Sequence, residues 1–191
     1  MAVEIELKAR VDDPGGLQTR LCSFAGQGTA FEKWDSYWVF SEADRTDGTA
    51  LPSGVRLRRE TKTSPTGEVF KALWVTYKVK EIREGMEIND EREFSVSDGD
   101  MFEELLRRLG LKKDMEKTKT GRTWICDGIT TELTDVAGLG WFVELEIIAG
   151  DSKDETVTAA RKRLLALLRK IGLEEDRIEP RYYTEMLRPP L

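Results

Sequence analysis

Residues 2–10 alternate between apolar and charged side chains. A period of two residues is that of a β-strand, in which successive side chains point to opposite faces. One face would carry Val3, Ile5, Leu7 and Ala9, and the other would carry Glu4, Glu6, Lys8 and Arg10. The start of the chain therefore predicts a strand with one face that is charged along its whole length.

The same patterns predict strands and helices through the rest of the chain. Alternating or β-prone segments predict strands at 2–10, 29–40, 53–61, 69–80, 86–96, 112–126, 129–136 and 141–148. Helical spacing of apolar residues predicts helices near 14–25, 99–109, 153–171 and 180–187. A loop is predicted at 41–50 and a turn at 81–85. Most connections are too short for parallel crossovers, so we expect one α+β domain over 1–191 with a mainly antiparallel sheet.

Charged residues make up 35% of the 191 residues, which is well above the roughly 25% of typical soluble domains. The net charge of −6 argues against a broad surface for nucleic acid or an anionic membrane. The chain has no histidine, which excludes histidine-dependent nucleophilic catalysis and histidine-ligated metals. A metal would therefore be held mainly by oxygen atoms, which favours Mg²⁺ or Mn²⁺.

The sequence also bears on the compartment. It shows neither an apolar signal segment at its start nor a run close to the roughly 18 apolar residues of a membrane span. Cys22 and Cys126 form no CxxC motif, which fits free thiols in a reducing environment. We expect a soluble, cytoplasmic protein.

Charged residues stand two apart in several predicted strands, so they share one face of each strand. These groups are Glu4/Glu6/Lys8, Arg56/Arg58, Lys78/Lys80, Glu91/Glu93 and Glu144/Glu146. For any single strand, the simplest interpretation is a charged face in contact with water. Together they favour a closed barrel of about eight strands, just wide enough for one small ligand. Acids and bases inside such a lumen need a polyvalent partner, and a triphosphate with a divalent metal meets that need.

Several of these segments resemble the CYTH family, whose members are also called triphosphate tunnel metalloenzymes. Glu4-x-Glu6-x-Lys8 is similar to the family's N-terminal signature, and residues 138–146 (GLGWFVELE) are very similar to its G-L-G-x-F-x-E-x-E segment. Weaker similarities are Asp35-Ser36-Tyr37-Trp38, Val55-Arg56-Leu57-Arg58, Thr76-Tyr77-Lys78, Arg92-Glu93 and Glu179-Pro180-Arg181-Tyr182-Tyr183. The resemblance spans nearly the whole chain and implies a tunnel of eight antiparallel strands that holds a triphosphate with Mg²⁺ or Mn²⁺.

The resemblance also implies roles for individual side chains. Metal ligation would fall to Glu4, Glu6, Glu144 and Glu146, with Glu93 and Glu132 as further candidates. Phosphate binding would fall to Lys8, Arg56, Arg58, Lys78 and Lys80, and among Lys117, Lys119 and Arg122 the choice stays open. Lys8 and Tyr37 are the candidates for orienting or deprotonating an attacking water. Family members carry an aspartate where this chain has Thr134, which leaves one metal ligand open.

Three functions remain open at this point. Hydrolysis of an inorganic or organic triphosphate ranks first, because it demands the least of the site. A class IV adenylyl cyclase, which converts ATP to cyclic AMP and pyrophosphate, is the nearest alternative in the family. A non-catalytic binder of nucleotide or polyphosphate is an alternative of another class. The expected partner is a small triphosphate (ATP, inorganic triphosphate or thiamine triphosphate), with no nucleic acid and no membrane, and a homodimer stays open.

Overall fold

Eight antiparallel strands form the body of the structure. The computed structural model describes residues 2–40, 54–83 and 85–188, without the side chains of 78–81. The strands are β1 (Val3–Arg10), β2 (Thr29–Val39), β3 (Val55–Thr63), β4 (Val69–Arg83), β5 (Met86–Ser95), β6 (Lys112–Cys126), β7 (Ile129–Val136) and β8 (Gly140–Ala149). The helices are α1 (Pro14–Ala25), α2 (Gly99–Arg108), α3 (Asp154–Lys170) and α4 (Tyr183–Met186). The strands close into a barrel in the order β1-β5-β4-β3-β2-β6-β7-β8, which confirms the predicted antiparallel barrel with flanking helices.

The barrel turns its apolar side chains outward and its charged side chains inward. On β1, Ile5 is fully buried in a core that also contains Leu145 of β8 and Leu164 of α3. Glu4 and Glu6, on the opposite face of β1, line the lumen. Helices α1 and α3 pack on the outside because the apolar face of these strands would otherwise meet water.

Helix α2 covers the outer face of β2 and β3 with a second, smaller core. Trp38 is 1% exposed and packs against Leu106 of the helix. The Asp98 carboxylate accepts two backbone N–H groups of the first helical turn and so caps the helix. Arg59, which points outward from β3, donates a hydrogen bond to Glu103 at 3.0 Å. These contacts fix the outside of the two strands whose inner faces carry arginine and aspartate.

The end of β4 differs from the sequence prediction. The strand runs on to Arg83, which lies in register with Met86 of β5, so the turn begins later than the predicted 81–85. Strand β5 pairs with β4 from Trp74 to Arg83, which extends the ladder almost to the chain reversal. Gly85 has a φ of 79°, in the left-handed region that glycine tolerates best.

Two other predicted segments need comment. The last helix is shorter than the predicted 180–187, because it begins only at Tyr183, where the Glu185 carboxylate accepts the N–H of Tyr182. The predicted loop at 41–50 lies outside the described residues.

Among the helices of the described ranges, none is both long and apolar enough to cross a membrane.

Gly121 of β6 lies at a close approach of two strands. A Cβ atom at this position would stand 2.1 Å from the carbonyl oxygen of Leu133 and 2.9 Å from the ring of Phe31. We expect Gly121→Ala to lower the free energy of unfolding by about 1–3 kcal/mol, the usual cost of overpacking. Chemical denaturation measures this loss. Gly150→Ala is the control, since a Cβ there has no neighbour within 4 Å, and equal stability of the two variants would contradict the close approach.

Candidate active site

The barrel encloses a charged cavity of about 310 Å³ to which all eight strands and α4 contribute side chains. Its carboxylates are Glu4, Glu6, Glu60, Glu87, Glu91, Glu93, Glu132, Glu144 and Glu146. Its cations are Lys33, Arg56, Arg58, Lys62, Lys117 and Lys119, and the lining is completed by Tyr37, Trp74, Tyr182, Tyr183 and Thr184. The cavity is therefore lined mainly by acidic and basic side chains.

Asp35 of β2 anchors the cations on one side of the lumen. Its carboxylate is completely buried and accepts two hydrogen bonds from Arg58, at 2.7 and 2.9 Å, while the Lys117 ammonium lies 3.3 Å away. Burial disfavours the charge on Asp35, but Arg58 and Lys117 outweigh it and hold its pKa well below the usual range. Burial also lowers the pKa of Lys117 to about 8, against the attraction of Asp35. Asp35 thus holds two cations side by side at the cavity wall.

Arg56 lies two residues before Arg58 on the same face of β3. It donates to the Thr76 hydroxyl at 2.8 Å and lies 3.4 Å from Glu91 and 3.5 Å from Glu93. Its Nε is buried and meets no acceptor in the described part of the structure. A buried donor without an acceptor is costly, and a phosphate oxygen in the lumen would relieve that cost. Guanidinium groups bind phosphate oxygens through paired hydrogen bonds.

Two lysine–glutamate pairs join strands that are two apart in the barrel wall. The Lys33 ammonium lies 2.6 and 2.7 Å from the oxygens of Glu132, and the Lys119 ammonium lies 2.6 and 2.7 Å from those of Glu144. Burial disfavours the charge on Glu144, but Lys119 overcomes it and lowers the pKa to about 2. Burial lowers the pKa of Lys33, although Glu132 opposes this shift. Each lysine therefore neutralises one carboxylate of a strand two places away, and Lys33 also lies 3.8 Å from Glu60 of β3.

Helix α4 places Tyr183 against one part of the cavity wall. Its hydroxyl donates to Glu144 at 2.9 Å, and its ring packs edge-on against Phe142 with centroids 5.0 Å apart. The Lys119 ammonium lies 4.6 Å from the centre of the same ring. Burial, followed by the negative charge of Glu144, raises the pKa of Tyr183 well above its usual value. The phenol therefore stays protonated and serves as a hydrogen-bond donor.

The two residues predicted as catalytic both retain their protons. Lys8 is 2% exposed and its ammonium lies 2.7 Å from Glu87, so it sits behind the cavity surface. Burial opposes the charge on Lys8, but Glu87 and Glu6 outweigh it and raise the pKa. Tyr37 lines the cavity, and burial together with Asp35 raises its pKa to about 12. Because both groups keep their protons near neutral pH, neither is suited to deprotonate an attacking water. Of the two predicted roles, orienting the water is the one that remains.

The three candidate phosphate ligands of β6 differ in the face of the strand on which they lie. Lys117 and Lys119 line the cavity. Arg122 has the opposite parity, lies outside the lumen and donates to the carbonyl oxygen of Gly28 at 2.8 Å. The prediction of Arg122 as a phosphate ligand is therefore wrong, because an even-numbered residue of β6 faces away from the lumen.

Lys78 and Lys80 are predicted phosphate ligands whose side chains lie outside the described part of the structure. Their backbone positions are described, and they pair in register with Glu91 and Asn89 of β5. Because Glu91 lines the cavity, Lys78 occupies a register position beside a lumen residue. The role of both lysines stays a prediction.

The carboxylates predicted to serve a metal all line the cavity, namely Glu4, Glu6, Glu93, Glu132, Glu144 and Glu146. Thr134, which replaces the family aspartate, is fully buried and is not part of the lining. Glu132 lies two residues earlier on the same face of β7 and reaches the cavity instead. Carboxylate oxygens are the ligands that Mg²⁺ and Mn²⁺ prefer, so the lining fits such an ion. Within the described residues, no three Asp, Glu or Cys side chains are already gathered around one point.

The residues that shape the site but were not assigned by sequence reasoning include Lys33, Asp35, Glu60, Glu87 and Tyr183. The first four share a face with residues that were assigned. Asp35 and Lys33 continue the face of Tyr37, and Glu60 continues the face of Arg58, so extending the period of two would have found them. Tyr183 comes from a distant segment that resembles the family's C-terminal segment, but no local pattern gives this residue a role in the site.

The closed barrel and its charged lumen define the triphosphate tunnel fold. The family model of the CYTH domain matches residues 2–183 of this chain. The chain therefore belongs to the CYTH family, whose members are in general metal-dependent.

Individual relatives cover almost the whole chain. A Methanocaldococcus jannaschii protein named "Putative adenylate cyclase MJ0240" is 25% identical over 186 residues, which are 96% of this chain and 98% of that protein. The PH1819 protein from Pyrococcus horikoshii is 27% identical with a TM-score of 0.76, over 96% of this chain and 97% of its own. A Hippeastrum protein, described as a "putative adenylyl cyclase" with "a dominant triphophatase activity", is 14% identical with a TM-score of 0.62, over 97% of this chain and 93% of its own. The last similarity concerns the fold alone.

Proposed function

We propose that this protein is a metal-dependent phosphohydrolase that cleaves the terminal phosphate from a triphosphate bound in the barrel lumen. The observation that carries the proposal is the group of Arg56, Arg58 and Lys117, which share one wall and face an array of carboxylates. A chain of three phosphates has the length and charge to contact several of these cations at once. The carboxylates opposite supply oxygen ligands for Mg²⁺ or Mn²⁺.

The reaction would proceed mainly through positioning and charge stabilisation. Water adds to the terminal phosphorus, the bond from that phosphorus to the bridging oxygen breaks, and orthophosphate leaves a diphosphate behind. Arg56 and Arg58 bind the phosphate oxygens and stabilise the charge that develops on them. Glu144, Glu146, Glu4 and Glu6 would hold the metal, whose chemistry is to neutralise phosphate charge as a Lewis acid. Tyr37 keeps its proton and orients the water through its hydroxyl.

Adenylyl cyclase activity is the second candidate, and the name of the Methanocaldococcus jannaschii relative favours it. In that reaction the 3′-hydroxyl of ATP attacks the α-phosphorus and pyrophosphate leaves. The same cations could serve it, since only the position of the phosphates along the lumen differs. A non-catalytic binder of nucleotide or polyphosphate is the third candidate. That 1–191 forms a single domain also stays a prediction, as does a homodimer.

Identification of the products distinguishes the three candidates. The purified protein is incubated with ATP, inorganic triphosphate or thiamine triphosphate, each with Mg²⁺ or Mn²⁺, and all products are separated by chromatography. We expect orthophosphate and a diphosphate, with no product from Glu144→Gln, which controls for contaminating phosphatases. Cyclic AMP with pyrophosphate would replace the hydrolase by the cyclase. Binding without turnover of any substrate would leave only the binder.

A further inference from the structure

Four charged residues of the lumen lie on four consecutive strands of the barrel, as two couples that are each in register. Lys33 of β2 lies in register with Lys119 of β6, and Glu132 of β7 lies in register with Glu144 of β8. Like charges directly opposite each other on neighbouring strands are unfavourable. We call these four residues the charge quartet. Its two lysines are in register with each other, and so are its two glutamates.

The quartet offsets both repulsions through ion pairs that each join two strands separated by one other strand of the barrel wall. Each ammonium lies 2.6 to 2.7 Å from both oxygens of one carboxylate, Lys33 with Glu132 and Lys119 with Glu144. All four side chains are at most 15% exposed. Removing one partner of such a buried pair leaves a charge uncompensated, which is strongly unfavourable. Neither the lysines nor the glutamates can therefore change partner alone.

Each half of the quartet is suited to a different ligand. Two adjacent carboxylates present oxygen atoms to a divalent cation, and two adjacent ammonium groups present donors to a phosphate. In the observed pairs, the lysines occupy the carboxylates that would bind the cation, and the glutamates occupy the ammonium groups that would bind the phosphate. A cation that arrives alone must displace two buried lysines, and a phosphate that arrives alone must displace two buried glutamates. When both arrive together, every charge exchanges one partner for another.

We propose that the charge quartet is a partner-exchange device, through which the lumen accepts the metal–triphosphate complex and discriminates against the bare metal and the bare triphosphate. The inference rests on the proposed binding of a triphosphate in the lumen and goes beyond it by naming the complex as the ligand. It assigns Lys33 a role in binding, although no sequence motif points to this residue. It also gives a specific role to Glu132, which lies on β7 two residues before the buried Thr134.

The first test measures metal binding without any triphosphate. Mn²⁺ is titrated into the full-length protein, and the free ion is followed by electron paramagnetic resonance. We expect Lys119→Met to bind Mn²⁺ at least about tenfold more tightly than the unchanged protein, because Glu144 is no longer neutralised. Lys33→Met, which releases Glu132, is expected to act in the same direction. Circular dichroism and thermal unfolding establish that each variant is folded, and if one of them unfolds the other carries the test.

Two controls separate the exchange from general electrostatics. Lys113→Met removes the same charge from the same strand, but Lys113 is paired with Glu116 at 2.7 Å, away from the quartet. Lys117→Met removes a lumen charge that is paired with Asp35 instead of a quartet glutamate. Both should leave Mn²⁺ affinity within about threefold of the unchanged protein. Equal affinities in Lys119→Met and Lys117→Met would overturn the proposal.

The second test is the reciprocal measurement, with the metal removed by EDTA. We expect Glu144→Gln to bind inorganic triphosphate at least about tenfold more tightly than the unchanged protein, since Lys119 is then free to meet phosphate. Glu116→Gln is the matched control and should show no gain. Unchanged or weaker binding in Glu144→Gln overturns the partner exchange. Absence of turnover in the product assay would overturn the hydrolase alone, because both binding tests proceed without catalysis.

Discussion

Replacing Arg58 with methionine is expected to weaken the binding of a triphosphate about 100-fold, or about 2.8 kcal/mol. The guanidinium is at the cavity wall and is held in one orientation by two hydrogen bonds to Asp35. Hydrogen bonds from a charged donor to phosphate contribute about 1.5–3 kcal/mol each, so the loss of one phosphate contact with its charge accounts for this size. Calorimetric titration with ATP in the presence of Mn²⁺ at low temperature measures the change.

The same substitution is expected to destabilise the fold. Asp35 is completely buried, and without Arg58 the Lys117 ammonium at 3.3 Å would be the remaining cation beside its carboxylate, with the Tyr37 hydroxyl at 3.4 Å. Breaking a buried pair by removing one partner costs about 3–5 kcal/mol. The double variant Asp35→Asn/Arg58→Met removes both charges together and should recover much of the lost free energy of unfolding, as measured by chemical denaturation.

The two measurements together separate the structural role of Arg58 from its role in binding. In the double variant we expect the stability to return and the triphosphate affinity to stay low. Arg59→Met is the matched control, because Arg59 is the next residue of β3 and points outward to Asp100 and Glu103. Recovery of affinity in the double variant would show that Arg58 acts only by supporting the barrel.

A triphosphate is expected to bind more weakly above pH 8, and Lys117 is the cause. Burial lowers the pKa of Lys117 to about 8 in the free protein. Above that pH the amine is mostly neutral, whereas a phosphate chain beside it favours the ammonium form. Binding then requires uptake of one proton, so the affinity should fall about tenfold per pH unit above pH 8 and be flat below it.

Titration of the metal-free protein with ATP between pH 7 and 10 tests this expectation. The terminal phosphate of ATP is already ionised in this range, so the charge of the ligand stays constant. Lys117→Arg keeps a permanent cation at the same position and should give a flat profile up to pH 10. The prediction fails if the variant shows the same slope as the unchanged protein, because the slope then belongs to another group.

The sequence by itself determined which charged side chains share one face of a strand. Glu4 and Glu6 on β1, Arg56 and Arg58 on β3, and Glu144 and Glu146 on β8 are two residues apart, and a strand has no other way to place them than on one face. The same rule reached Lys117 and Lys119 and would have rejected Arg122, since its parity differs. The family resemblance correctly indicated the closed antiparallel barrel. These features are local, and a period of two is encoded within a few residues of each strand.

The tertiary structure alone decided which charges face each other. The ring order β2-β6-β7-β8 brings Lys33 to Glu132 and Lys119 to Glu144, although the four residues are spread over more than a hundred positions of the chain. The same closure buries Asp35 beneath Arg58, and docking of α4 brings Tyr183 to Glu144. Pairing across a barrel depends on strand order and register, which are fixed by packing over long sequence separations. No local pattern carries that information, so the sequence identified the charges of the site and the fold assigned their partners.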